Sequence, residues 1–180
     1  MKQANVRFNY HDYLQLPEDK RYEILDGELC VVPAPSTRHQ TIGLNLLVAL
    51  AQYVKGSGSG RIFHAPCDVV LSQENVVQPD VIFVSTKRLQ IVGEPNIAGS
   101  PDLLIEILSP GTRGRDLEIK RKLYARFGVQ EYWIVDPEDR TIQILSWTDA
   151  GYRIEAVVPP TGTLNSPLFP SLNLNLADIF

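Results

Sequence analysis

The stretch Pro101-Asp102-Leu103-Leu104-Ile105-Glu106-Ile107-Leu108-Ser109-Pro110 (PDLLIEILSP) sets a carboxylate in the middle of an aliphatic run bounded by prolines. Its length and branched side chains fit a strand covered on both faces. By alternation Glu106 shares a face with Leu104 and Leu108, where a carboxylate is poorly solvated unless a cation stands beside it. Two readings follow, a structural ion pair inside the core or a functional site.

Downstream, the spacing predicts a helix near Asp116 to Phe127, closed by Gly128, and a strand Glu131 to Asp136 ended by Pro137. Projected at about 100° per residue, Leu117, Ile119, Leu123, Tyr124 and Phe127 fall on one arc. Lys120 lies near its middle, with Asp116 and Tyr124 one turn to either side. An ammonium facing the core stays charged only beside acids, and the strand candidates are Glu106 and Asp80. The competing reading is that Lys120 bends its stem out to water. Asp80 follows Gln78-Pro79 and opens the apolar run Val81 to Val84, on the face of Ile82 and Val84. It is read either as a site carboxylate or as an ordinary turn residue.

Upstream, Asp26-Gly27 between Tyr22 to Leu25 and Glu28 to Val31 predicts a β-hairpin with a two-residue turn, after a short helical entry at Tyr10 to Leu14. Tyr22, Ile24, Leu29 and Val31 share one face; Glu23, Leu25, Glu28 and Cys30 share the other. Ser36 caps a long helix with the stripe Ile42, Leu46, Leu50 and Val54, which Gly56 is expected to stop; His39 falls on that stripe. Strands are expected at about Ile62 to Leu71 and Val76 to Val84, then a loop from Gly93 to Pro101. Segments Thr141 to Trp147 and Tyr152 to Val158 read as a hairpin, and the Pro-rich tail to Phe180 is expected to pack across the body. Strands alternating with helices give an α/β class: a central mixed sheet flanked by helices, with an added N-terminal β-hairpin.

The 180 residues, 44% of them hydrophobic, suffice for one sizeable core, so residues 1–180 are read as one domain. A formal charge of −4 supplies no global attraction for nucleic acid, so binding of phosphate must be local. Six basic residues between Arg113 and Arg126 (Arg113, Arg115, Lys120, Arg121, Lys122, Arg126) against Asp116 and Glu118 offer such a patch, the alternative being an ordinary solvated helix. Cys30 and Cys67 lack the spacing of a zinc site or disulfide framework. With no apolar leader or bilayer-length stretch, a cytoplasmic location without membrane contact is expected.

Two strand carboxylates and one inward lysine are the parts that phosphodiester hydrolysis needs. Asp80 and Glu106, with the backbone carbonyl of Ile107, would hold a hard cation, Mg²⁺ or Mn²⁺. Lys120 would orient the attacking water or offset charge developing on the phosphate.

The ordered set YEILDGEL (Tyr22 to Leu29), Ser36 to His39, Gln78-Pro79-Asp80, PDLLIEILSP, Asp116 with Lys120 and Tyr124, and GVQEYWIVDP (Gly128 to Pro137) resembles the PD-(D/E)XK nuclease superfamily. It is more closely similar to the bacterial Uma-two endonuclease family, over nearly the whole chain. The resemblance implies a restriction-endonuclease-like fold, metal-dependent endonuclease activity on DNA, and a catalytic set of Asp80, Glu106 and Lys120. The superfamily lysine stands two residues after the strand glutamate, where this chain has Leu108; Lys120 on the next helix is its replacement, or else the chain is an inactive binding module for nucleic acid or protein. The first core helix of the superfamily often carries an acid, but here its inward face offers His39, read as a contact to water or phosphate or as an ordinary half-buried histidine. Glu23 supplies the missing carboxylate, or else faces solvent. Homodimerisation through the Trp133 and Trp147 strands is the expected way to cut both strands of a duplex.

Overall fold

The computed structural model describes residues 6–180. In chain order it contains α1 (Tyr10–Tyr13), β1 (Arg21–Leu25), β2 (Glu28–Val32), α2 (Thr37–Ser57), β3 (Gly60–His64), β4 (Val69–Ser72), β5 (Asn75–Val77) and β6 (Val81–Ser85). These are followed by β7 (Ile97–Ala98), β8 (Leu103–Ile107), α3 (Arg121–Arg126), β9 (Glu131–Asp136), β10 (Thr141–Thr148), β11 (Gly151–Val158), β12 (Thr163–Ser166) and β13 (Phe169–Asn175).

Six strands form the central sheet in the order β11-β10-β9-β8-β6-β3. β8 and β9 run parallel and the other pairs antiparallel, so the sheet is mixed. Alternation along β8 assigns its side chains to two cores. Leu103, Ile105 and Ile107 pack with the α2 stripe Ile42, Leu46, Leu50 and Val54. Leu104 and Leu108 pack on the opposite face with Leu123 and Tyr124 of α3. That second face is also covered by a five-stranded sheet, β2-β1-β5-β4-β7, to which the N-terminal hairpin belongs. Ile24 pairs with Val76, so the hairpin is built into the body.

The hairpin register, Leu25 opposite Glu28 and Tyr22 opposite Val31, follows from the Asp26-Gly27 turn, whose two residues both take positive φ (49° and 78°). The α2 cap is also as expected, with Ser36 Oγ accepting from His39 N, but the helix runs through Gly56 to Ser57 and stops where Gly58 turns left-handed at φ 61°. A glycine's presence permits a stop; the stop comes at the residue that adopts αL.

Two further expectations are corrected, and a third, the tail packing across the body, gains a strand pair. The two long strands expected from Ile62 and Val76 each break in two, and their halves join different sheets: β3 and β6 the central one, β4 and β5 the second. Pro66 and Pro79, lacking the N–H a ladder needs, stand in the two breaks. Within the loop Gly93 to Pro101, Ile97–Ala98 pairs parallel to β4. The tail forms the antiparallel pair β12-β13, and Leu164, Phe169, Leu172, Leu174, Leu176 and Ile179 close the α2 side of the core. Among the described residues no helix is long and apolar enough to cross a membrane.

The tail is tied down by Glu131, which is only 2% exposed. Its Oε2 accepts from Trp133 Nε1 at 2.8 Å and Ser166 Oγ at 2.7 Å, and its Oε1 accepts from Leu168 N at 2.8 Å. Trp133 is therefore a core residue with no surface to offer a second copy, which removes it from the expected dimer face; Trp147 alone of the two reaches the surface. Replacing Glu131 by Ala would strand these buried donors. Glu131→Ala is expected to lower the unfolding free energy by about 3 kcal/mol in urea titrations and to open the chain after β11 to limited proteolysis. Unchanged stability and unchanged cleavage would show that the tail is held by its apolar side chains alone.

Candidate active site

Lys120 Nζ stands 2.9 Å from Glu106 Oε1, 2.8 Å from Glu23 Oε1 and 3.5 Å from Asp116 Oδ1. All four residues are buried. The sequence separation is large: Glu23 comes from β1, Glu106 from β8, and Asp116 and Lys120 from the segment before α3. That segment, Arg115–Lys120, winds as a π-helix and continues directly into α3. A uniform α-helix is thus corrected over its first half. The wider turn keeps Asp116 and Lys120 inward but carries Ile119 off the apolar arc, so that it is 47% exposed. Tyr132 Oη donates to the Asp116 carbonyl inside the widened turn at 3.1 Å.

Asp80 sits at the entrance to β6, one residue beyond the last rung between β6 and β8, where Val81 pairs with Ile105. The antiparallel ladder leaves Ile107 N without a strand partner on that side, and Asp80 Oδ2 accepts from it at 2.7 Å. His39, from the first turn of α2, places Nε2 3.2 Å from the same Asp80 oxygen. Ile107 lines the same cavity as His39 and Asp80. Asp80, Glu106, Ile107, His39, Glu23, Asp116 and Lys120 all line one cavity of about 240 Å³. The structure therefore brings together every residue that the sequence nominated.

The electrostatics follow from burial and a surplus of acid. Burial raises Glu106 well above the ordinary carboxylate range; Lys120 pulls against this, while Asp116, Asp80 and Glu23 add to it. Burial likewise raises Asp116 against the pull of Lys120. Burial would lower Lys120, but Glu106, Glu23 and Asp116 together outweigh it and hold its pKa well above normal, so the ammonium is charged. For His39, burial lowers and the Asp80 hydrogen bond and charge raise, with a net increase. Tyr124 Oη donates to Glu106 Oε1 at 2.6 Å, which fixes that carboxylate's orientation. Glu23 Oε1 also accepts from Gln78 N at 2.9 Å, tying the hairpin to the strand that leads to Asp80.

Two residues were undervalued by sequence reasoning. Asp116 entered only as a neighbour of Lys120, yet it is a fourth carboxylate, whose buried Oδ1 faces the ammonium at 3.5 Å, beyond ordinary hydrogen-bond length. Tyr124 entered on the apolar arc and in the resemblance, without a role at the site. The spacing Asp116, Lys120, Tyr124 on a helix was the available signal, because it stacks acid, ammonium and phenol on one face. The basic patch shrinks: Arg113 pairs with Asp136 at 2.8 Å, Arg115 approaches Glu23 at 3.7 Å, Arg126 pairs with Asp26, and Lys120 is internal. Arg121 and Lys122 remain of the six.

The contacts of Asp80 and Glu106 fall on one oxygen of each, Oδ2 and Oε1, so the second oxygen of each is available as a ligand. Among the described residues no group of three or more His, Cys, Asp and Glu side chains is gathered in metal-binding range. Two carboxylates and a carbonyl are a smaller, all-oxygen set, of the kind that suits a hard cation retaining several waters. The surplus of carboxylates over ammonium groups at the recess fits the same cation.

The mixed central sheet, with Asp80 and Glu106 near the ends of the neighbouring strands β6 and β8, is a restriction-endonuclease-like α/β fold, here with its lysine on the following helix. Residues 10–177 match the Uma2 family, described as "Putative restriction endonuclease", and the chain belongs to that family. A protein of Synechocystis named "Uncharacterized protein slr1290" is 26% identical over 144 residues, 78% of this chain and 74% of that protein. The fold is shared with a crystal structure from Anabaena variabilis, titled "a putative nuclease belonging to DUF820", at TM-score 0.80 and 24% identity, covering 96% of this chain and 97% of that one.

Removing the ammonium leaves the buried acids uncompensated, so Lys120→Met is expected to destabilise by about 3–5 kcal/mol at neutral pH. Glu106 and Asp116 are raised above their ordinary values of 4.5 and 3.8, so the folded state holds their protons more tightly than the unfolded one. Their contribution is then greatest at low pH and is lost as pH rises through the folded values. The Lys120→Met deficit should therefore be smaller at pH 5 than at pH 8 in urea midpoints. A deficit that does not depend on pH would mean that Lys120 acts through packing of its stem.

Proposed function

We propose that this protein is a divalent-metal-dependent nuclease that hydrolyses DNA phosphodiester bonds at the cavity joining Asp80, Glu106 and Lys120. The single observation that carries this reading is the convergence of two strand-end carboxylates and the Ile107 peptide on a recess that also holds a charged, buried lysine. Asp80, Glu106 and the Ile107 carbonyl would hold Mg²⁺ or Mn²⁺. When bound, that ion supplies Lewis acidity toward the phosphate and toward a water molecule.

The chain's own groups divide the remaining work. Tyr124 and Lys120 both contact Glu106 Oε1, so they orient the carboxylate and leave Oε2 for the cation. Lys120 offsets the negative charge gathered by substrate and acids in a site shielded from water. Glu23 and Asp116 hold the ammonium in place; in this reading Glu23 is a positioning residue. Asp80 is braced by the Ile107 N–H. His39, with 14% of its side chain exposed, stands beside Asp80 at the partly open edge of the cavity. There it can donate to a phosphate oxygen or take a proton from the attacking water.

One observation favours a second reading, a nuclease fold that binds without cutting. An ammonium has three donors, and three carboxylates surround this one. Supercoiled plasmid with Mg²⁺ or Mn²⁺ separates the two. Nicking by the wild type should stop on addition of EDTA and fall by at least about a hundredfold in Asp80→Asn and Glu106→Gln. Because Glu106→Gln removes one acid from a surplus, its melting temperature should not fall. Retention of plasmid without nicking in either metal supports the binding module, and nicking that persists in EDTA rules out the metal site proposed here.

A further inference from the structure

His39, Asp80 and Ile107 line two cavities. Besides the recess that holds Glu106 and Lys120, a second cavity of about 220 Å³ opens on their other side, between the first half of α2 and the end of β3. Its walls are Leu44, Leu47 and Ala65, with His64 and Gln40 at its polar positions, and Asp80 is the only acid lining it. Gly43 of the helix packs against Ile107 here, where a Cβ would make an ordinary 3.4 Å contact with Ile107 Cδ1. Leu44 is 60% exposed and stands at the mouth of this cavity, off the core stripe of the helix.

We propose that this second cavity is a nucleotide subsite, holding the sugar and base adjacent to the scissile phosphate on a polynucleotide strand. The inference rests on the nuclease reading and extends it to how the substrate lies. A reaction centre open on two sides suits a chain that continues in both directions, whereas a small ester needs one blind pocket. The lining suits that occupant. Leucine and alanine give a base and a deoxyribose apolar walls, the His64 ring, whose Nδ1 lies 2.8 Å from the Ala65 carbonyl, offers a π-face, and Gln40 offers amide hydrogen bonds. The inner recess is rich in carboxylates, so the strand's phosphates are better received on the side where only one acid, the metal ligand Asp80, is present.

Two substrates test this. Binding of a short fluorescein-labelled single-stranded DNA is followed by anisotropy with Ca²⁺ in place of Mg²⁺, and turnover of a small aryl phosphodiester is followed with Mn²⁺. The variants are Leu44→Glu and His64→Ala, both at exposed positions, with Val157→Glu on the opposite edge strand as a control for added surface charge. Leu44→Glu is expected to weaken DNA binding by at least about tenfold, the scale of one lost base contact. His64→Ala should weaken it severalfold, and all three should turn over the small diester within about twofold of wild type. If the two cavity variants bind DNA as the wild type does, or if Val157→Glu weakens binding equally, the subsite is overturned while wild-type cleavage keeps the nuclease reading. If small-diester turnover falls together with DNA binding, the residues act on the reaction centre and the subsite is again overturned. Should the wild type cleave neither substrate yet lose DNA binding on Leu44→Glu, the subsite stands and the catalytic reading fails. A wild type that neither binds nor cleaves overturns both.

Discussion

One ammonium group is the shared counter-ion of carboxylates carried by three parts of the fold. Glu23 arrives on the N-terminal hairpin, Glu106 on a central strand, and Asp116 on the π-turn that leads to Lys120 itself. An unpaired charge at this depth costs several kcal/mol, so the hairpin, the central sheet and the helix are held to positions in which those charges meet. A buried ion pair is weak evidence for net stability. Its consequence is geometric: it sets the orientation of the acids that face the cavity.

That constraint also accounts for the irregular backbone around the site. The π-turn directs Asp116 and Lys120 inward together and turns Ile119 out, and the Tyr132 hydroxyl meets the Asp116 carbonyl in the widened turn. At the other end of the cavity, β6 stops pairing with β8 one rung short, and the Asp80 side chain accepts the backbone donor that the missing rung would have used. Both departures from regular structure place an acid where the sheet opens. Lys120 charge, Asp80 bracing and the Ile107 peptide are thus consequences of where strands and helices end rather than of where they run.

Much of the site was legible in the chain because burial rules are local. Glu106 was conspicuous among leucines and isoleucines, and Lys120 was conspicuous on an apolar helical arc, whatever the fold. Glu23 was ambiguous for the opposite reason. The Asp26-Gly27 turn determines which residues share its face, but not what that face meets, and only the second sheet, with Gln78 N and Lys120 as partners, makes it a buried acid. Asp116 was named beside Lys120 but given no role of its own, because an acid beside a lysine on a helix has an ordinary explanation. The basic patch looked stronger than it is, since Asp136 and Asp26, the partners of Arg113 and Arg126, lie on other elements and cannot be seen from helix composition.

The chain alone determined the α/β class, the hairpin register and the apolar strand around Glu106, because each depends on a turn dipeptide or a periodicity that a short window contains. Only the tertiary structure decided that the two long runs split at prolines between sheets, that the tail folds back as a strand pair on Glu131, and that the lysine is enclosed by three acids. Those outcomes depend on which distant donor, acceptor or charge is available, and packing alone brings such partners together.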